Sequence, residues 1–496
     1  MANLFISGIL VGAALVGPLQ NACKHAAEAQ KQRLETLVRS LADKDPGTRK
    51  AAAKDLAKIG PGANDAVPFL VKGLKDVDVD VRREVVDALG AIGPGAKDAI
   101  PDLIQILKDE KRRQELLQSG LIASSQITLA EIGPSVVPFL TREIRAKKVD
   151  PNFCEYATSI LASLGCQAVS AVPALIKLLD HENPDIRRRS ADALAWILAS
   201  PENGRKNQHT EEGKKIQRSA EFQGGKQMAV AALVQALGND PDYSVRIAAS
   251  SALAMQKAIA AIPALVERME KEPPIPALAF AAHLGSIGPE ALPAILTIIE
   301  DEDRTAGLRS KAFHAFHVMS IPYTDRVPLN KESAKKAIRV FRKSLKDQDK
   351  DLRSDAALSL EEIGANAREA IPDLTAALKD PSVHVRLSAA RAIYAIDPKN
   401  LSSLPVLIEL MDDKSVGGSA IQAIRLLKDK AAPAVPKLIG ALRNPDVQTR
   451  RVAISALGDI GPAAQDAIPY LEELVKTDEE LGKDAKYSLE RIKKLC

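Results

Sequence analysis

"VRREVVDALGAIGPGAKDAIPDLIQILKD", residues 81–109, decides the fold. Val81, Val85, Ala88, Leu89 and Ile92 recur at i, i+4, i+7, i+8 and i+11, which sets them on one stripe of an α-helix, here the A helix. Gly93-Pro94 then forms a stop signal, because glycine accepts the left-handed conformation after a helix and proline cannot extend one. Asp98 is expected to cap the next helix, with Pro101 in its first turn, where a missing N–H leaves no intrahelical bond unmade. Ile100, Leu103, Ile104 and Leu107 supply the stripe of this B helix. Two antiparallel helices with one apolar face each cannot bury both faces alone, so the unit requires neighbours on either side.

The chain supplies them. Using the B-helix proline as a marker, Pro68 and Pro101 are 33 residues apart, Pro101 and Pro138 are 37, and Pro138 and Pro173 are 35. Near the C-terminus Pro372, Pro405, Pro436 and Pro469 follow at 33, 31 and 33 residues. The stop signal returns as Gly60-Pro61, Gly133-Pro134, Gly288-Pro289 and Gly461-Pro462, and the capping aspartate as Asp65 and Asp466. Self-similarity at this period marks an α-solenoid.

The segments that carry the pattern best are "DVDVRREVVDALGAIGPGAKDAIPDLIQILKD" (78–109), "DKDLRSDAALSLEEIGANAREAIPDLTAALKD" (349–380) and "NPDVQTRRVAISALGDIGPAAQDAIPYLEELV" (444–475). They resemble the HEAT repeat family, and within it the short HEAT-like subclass associated with phycobilisome lyases. The resemblance implies an all-α, right-handed α-solenoid of about 12–13 helix pairs, running from about residue 31 to the end. It also implies a non-catalytic protein-interaction scaffold whose concave face is lined by B helices. In such arrays the arginine early in each A helix, here Arg82, Arg187, Arg246, Arg353, Arg386 and Arg450, bonds neighbouring turns and aspartates. The same frame carries nucleic-acid-binding solenoids and a minority of enzymes, lyases among them, and these are the alternatives.

Composition narrows the choice. Apolar residues make up 46% of the 496 but aromatics only 3%, which suits closely packed Ala, Leu, Ile and Val helices. Lysine and arginine number 68 against 64 acidic residues, a net +4 that implies no strongly polyanionic partner. Basic clusters at Lys111-Arg112-Arg113, Arg187-Arg188-Arg189, Arg205-Lys206, Lys214-Lys215 and Lys335-Lys336 are interleaved with acids and lack aromatics for base stacking, so nucleic acid is disfavoured. The four cysteines have neither CxxC spacing nor the density of a disulfide-stapled domain. Of seven histidines only His314 and His317 share a helix face, and without a third ligand they are expected to be structural. The HEAT-like iron hydroxylases use several His-Glu pairs, whereas this chain has only His181-Glu182. No catalytic residue, metal or cofactor is therefore expected.

Four segments follow from this reading: an apolar stretch at 1–23, repeats over 31–199, a polar insertion loop at 200–225, and repeats over 226–496. The stretch "LFISGILVGAALVGPLQNAC" (4–23) is uncharged and reads first as a signal peptide, next as a short anchor, and last as a helix capping the first repeat. Export or membrane tethering is thus expected, with the membrane met only through this segment. Two further interruptions, "EKEPPIPALAF" (270–280) and "IPYTDRVPLNKES" (321–333), break the period with prolines. The insertion loop adjoins Trp196, and tryptophan is enriched at interface hot spots. Arg188, Arg189, Trp196, Arg205 and Lys206 are accordingly the candidate contact residues for a protein partner.

Overall fold

A computed structural model describes residues 28–146, 149–199, 210–320 and 329–493, and among these there is no strand. The apolar segment 4–23, the interruption at 321–328, Arg205 and Lys206 lie outside the described residues. Two compact units divide the chain, Met1–Ala258 and Ile259–Cys496.

In the first unit a helix over 28–40 precedes five A/B pairs. They are Pro46–Ile59 with Val67–Gly73, Val79–Ile92 with Ile100–Lys108, Leu121–Ile132 with Val137–Ile144, Pro151–Leu164 with Val172–Leu178, and Pro184–Ile197 with Ala220–Asn239, and the A helix Tyr243–Met255 follows them. The second unit opens with the B helix Ile262–Lys271. It continues with six pairs whose A helices are Pro274–Ile287, Ala306–Ser320, Lys350–Ile363, Val383–Ile396, Gly417–Leu426 and Val447–Ile460, and closes with Gly482–Lys493. Within each unit an A helix packs on the next A helix and a B helix packs on the A helix that follows it, the nearest-neighbour arrangement of a solenoid. The apolar stripes expected from residues 81–109 are the core: Val85, Ala88, Leu89, Ile100 and Leu103 are wholly buried. The run Pro151–Leu178 is long and apolar enough to cross a bilayer, yet 67% of its most apolar window is buried inside the unit, as a core element requires.

The local chemistry departs from expectation at the B-helix entry. Gly93 takes φ 72° at the end of its A helix, as the stop signal demands. Asp98, Asp65 and Asp466, however, do not cap the helices that follow; those helices have alanine at the cap position and no side-chain cap bond. The reason is that a 3₁₀ run, Gly93–Ala99 in the quoted repeat, feeds straight into the B helix. The amide of Ile100 bonds the carbonyl of Lys97, so the donors a cap would serve already have backbone partners. True capping lies one turn earlier in the repeat, where Asp45, Asp78, Asp349 and Asp446 accept from the first-turn amides of A helices.

The insertion also differs from the loop expected over 200–225. Residues Glu211–Gln217 form a helix capped by Thr210, and the B helix begins at Ala220 behind the cap Ser219. The short helix packs on the 3₁₀ turn Gly165–Ala171, with Gly213 and Gln217 buried and the thiol of Cys166 3.9 Å from the carbonyl of Gly213. Phe222 is buried, and Gly225 lies against Val169 and Val172. Polar composition concealed this structure, although Thr210 and Ser219, each followed by acidic residues in the first turn, were its start signals. At the second interruption Pro273 is extended, and Pro274 and Pro276 sit in the first turn of their helix rather than before it.

Candidate functional site at Trp196

The repeating arginines are bonded within the chain. In Arg187 and Arg353, and in Arg49 at the equivalent place in the first pair, the fork is complete. Arg49 holds Asp76 at 2.6 and 2.7 Å, Arg187 holds Asp240 at 2.7 and 2.9 Å, and Arg353 holds Asp380 at 2.7 and 2.9 Å, each through Nε and Nη2. The third nitrogen, Nη1, donates back to two carbonyls of the preceding turn, Asp347 and Gln348 in the case of Arg353. The backward bonds recur at Arg82, Arg246, Arg386 and Arg450. The accepting aspartate also takes the amide two residues on, as Asp380 does from Ser382. One guanidinium thus joins two successive turns, which is the ladder the resemblance implied. In the first pair the two-point bond shifts both partners: Asp76 is held below its usual carboxylate range, first by Arg49, and Arg49 is raised, first by Asp76.

Several other members of the basic clusters are answered in the same way. Arg112 bonds Glu115 at 2.9 Å, Arg113 bonds Asp150, Arg189 meets Glu155 at 2.8 Å, and Lys214 meets Glu211 at 2.7 Å. Arg188 reaches Asp192 at 3.3 Å and Asp185 at 3.8 Å. His181 accepts from the amide of Asn183 and is part of a turn. His317 bonds Glu362 on the neighbouring A helix and is half-exposed, while Phe313 and Phe316 face Phe341 on the core side at ring distances of 5.5 and 4.7 Å. Among the described residues no group of three or more His, Cys, Asp or Glu is placed to hold a metal.

Of the candidate contact residues, the structure brings Arg189 and Trp196 together. They line an open cleft of about 200 Å³ between the A helices Pro151–Leu164 and Pro184–Ile197, with Glu155, Thr158, Ser159, Ala162, Asp192 and Ala193. The helical period explains the grouping, because Arg189, Asp192, Ala193 and Trp196 fall at i, i+3, i+4 and i+7 on one face. Trp196 keeps 37% of its surface exposed. Asp192 is pushed up from its usual range, since desolvation in the cleft outweighs the pull of Arg188 and then Arg189, even though about half of its side chain still meets solvent. Arg188 stands beside the cleft rather than in its lining. Glu155, Ser159 and Asp192 were missed by sequence reading; the i+3 relation of Asp192 to Arg189 was visible, but the opposing helix was not.

A family model for HEAT repeats matches residues 34–119, 338–425 and 414–490. No curated protein matches the sequence. Among solved structures, the Kap95:Nup1 complex is similar over 93% of this chain and 68% of that one, at 11% identity and a TM-score of 0.56, a likeness of fold alone. Kap121p is similar over 94% of this chain and 58% of its own at 12% identity and a TM-score of 0.47, so this chain spans little more than half its length. An engineered protein matches at 23% identity with a TM-score of 0.24, covering 93% of this chain and 99% of that one. The family match does not reach the phycobilisome-lyase-type subclass. Paired helices, turn-joining arginines and the family match agree, and the chain is a HEAT-repeat protein.

Proposed function

We propose that this protein is a non-catalytic scaffold that binds other proteins through the exposed faces of its helix pairs. The observation that carries the reading is the internal pairing of its cations: the arginines that would have made a phosphate-binding stripe are held by carboxylates of the same chain. What they leave is a repeated helical surface of mixed charge, suited to many modest contacts with a protein rather than to a polyanion. The reactive side chains that are described point the same way. Cys154 is fully buried and its thiol is pushed up to about 11, and His283 is pushed down to about 4, both by burial, so neither is poised for chemistry near neutral pH. A HEAT frame holding a protein partner is also what the Kap95:Nup1 complex displays.

The test is capture with the full chain, with and without nuclease, alongside titration of a fluorescent duplex at rising salt. Retention of the same proteins after nuclease treatment supports the scaffold. Tight duplex binding that falls steeply with salt replaces it with the nucleic-acid reading. Export or tethering through residues 4–23 is part of the proposal, and cell fractionation with mass measurement of the N-terminal peptide tests it.

A further inference from the structure

Glu361 and Glu362 are consecutive on the A helix Lys350–Ile363, and they fasten it to opposite neighbours. Glu361 accepts from Nη2 of Arg391 on the next A helix, Val383–Ile396, at 2.9 Å. Glu362 instead meets Nδ1 of His317 on the preceding A helix, Ala306–Ser320. Two turns earlier on the same side, Asp355 accepts from the hydroxyl of Ser310 at 2.9 Å. Ser310 and His317 are seven residues apart, as are Asp355 and Glu362, so both bonds lie in one register along the seam. Among the described residues no arginine or lysine of either helix bonds a carboxylate of the other. Arg309 is committed to the carbonyl of Ile299 and to Asp347 in the turn before Lys350, and Lys311 to the carbonyl of Met269. Other seams between A helices are closed by a permanent cation, Arg189 on Glu155 or Arg451 on Asp484.

The charges around this seam add no second cation. Burial raises Glu362 against the pull of His317, and Glu361 pushes it the same way as burial does. Burial pushes Asp355 up to about 6 against the hydroxyl of Ser310, with Asp351 and Asp349 adding to the rise. His314, one turn before His317, is lowered by burial and then by His317, and His283 on the A helix Pro274–Ile287 is lowered to about 4 by burial, so neither carries charge near neutral pH. On the B helix Lys331–Ser344, packed against Lys350–Ile363, Arg342 and Lys343 are held by Asp373 and Glu302. The 3₁₀ run Gly364–Ala370 adds an exposed Arg368 and an exposed Glu369.

We propose that this seam is a proton-operated joint, fastened while Asp355 is neutral and His317 charged, and loosened past neutral pH, when the imidazole gives up its charge and two carboxylates face the neighbouring helix without a cation. The sign is the same for both acids. A carboxyl raised in the folded state contributes below its unfolded pKa and loses that contribution as pH rises through the folded value, about 6 for Asp355. Arg391 keeps its charge throughout, so the opposite side of the helix stays closed.

Amide exchange of the full chain at pH 5.5 and pH 8.0, read by mass spectrometry with the chemical exchange rate at each pH divided out, tests the joint. Protection in peptides from 306–320 and 350–363 is expected to fall about tenfold between the two, and far less in Val447–Ile460, whose Asp459 is held by Arg425 and Arg491. His317→Arg makes the cation permanent and should retain protection at pH 8.0, whereas His317→Gln should already be loose at pH 5.5. Asp355→Asn combined with Glu362→Gln should remove the difference between the two pH values. Equal losses in seam and control peptides, an undiminished response in the folded double variant, or a His317→Arg chain that loosens as far as the parent overturns the proposal. Should far-ultraviolet dichroism show the double variant misfolded, the two single variants, each expected to reduce the difference, take its place.

Discussion

Arg353 and Asp380 form a two-pronged bond across 27 residues of chain, Nε to Oδ2 at 2.7 Å and Nη2 to Oδ1 at 2.9 Å, with both side chains largely buried. The same guanidinium holds the carbonyls of Asp347 and Gln348, so the pair joins the turn before its own A helix to the turn before the next A helix. Removing one partner strands the other. Asp380→Ala is expected to cost about 3 kcal/mol in chemical denaturation, whereas neutralising the exposed Lys58, paired only with Asp55 three residues away, should change stability by less than about 0.5 kcal/mol.

Acid should act on these rungs before it acts on the core. Asp76 has its folded pKa depressed, chiefly by the bond from Arg49, so its contribution is present above the unfolded value and is lost as pH falls through the folded one. Melting temperature followed downward from pH 5 should drop less steeply in Asp76→Asn than in the parent chain.

Asp355 should behave in the opposite sense. Burial pushes it up to about 6, only partly offset by the hydroxyl of Ser310 at 2.9 Å. A carboxyl raised in the folded state favours folding below its unfolded pKa and loses that contribution as pH rises through about 6. Asp355→Asn is therefore expected to stabilise the chain at pH 8 and to make no difference at pH 3.5, which paired melts at the two pH values check.

Two helical glycines offer a matched contrast. A Cβ on Gly285 would stand 2.2 Å from the backbone carbonyl oxygen of Ala315, which cannot move without shifting the next A helix. Gly285→Ala is expected to destabilise by about 1–3 kcal/mol or more. Nothing lies within 4 Å of the same position on Gly224, and there alanine should stabilise by about 0.5–1 kcal/mol, since the helix no longer has to order a glycine.

Cys154 and Cys166 are wholly buried, and both thiols are raised by burial. Alkylation at neutral pH should leave them unmodified in the native protein and label both in denaturant, as peptide mass mapping would show. Rapid native labelling of Cys166 alone would mean that the Glu211–Gln217 helix lifts from the turn it covers.

The helix pairs, their stripes and the arginine rungs were legible because each arises from short-range order repeated many times. Val85, Leu89, Leu103 and Leu107 declare their side by spacing alone. What escaped depended on geometry that spacing does not encode. Asp98, Asp65 and Asp466 have the right residue type for a cap, but the backbone of the 3₁₀ run had already satisfied the donors. The insertion looked like a loop because its helices bury few apolar side chains and rely instead on small residues, Gly213 and Gly225, for close approach to the preceding turn. Arg188 and Arg189 read as exposed positive charge, while their partners Asp192 and Glu155 became apparent only once two A helices were laid side by side.

The turn that supplies Asp347 and the turn that supplies Asp380 share the tripeptide Leu-Lys-Asp, at 345–347 and at 378–380. Excising residues 348–380 would therefore regenerate, letter for letter, the junction that now precedes Pro381, and Arg309, which pairs with Asp347 today, would meet the same aspartate after the cut. A gene encoding such a chain can shorten or lengthen by one whole module through unequal recombination without writing a single new seam, and the number of stacked helix pairs becomes a quantity that inheritance is able to adjust in steps.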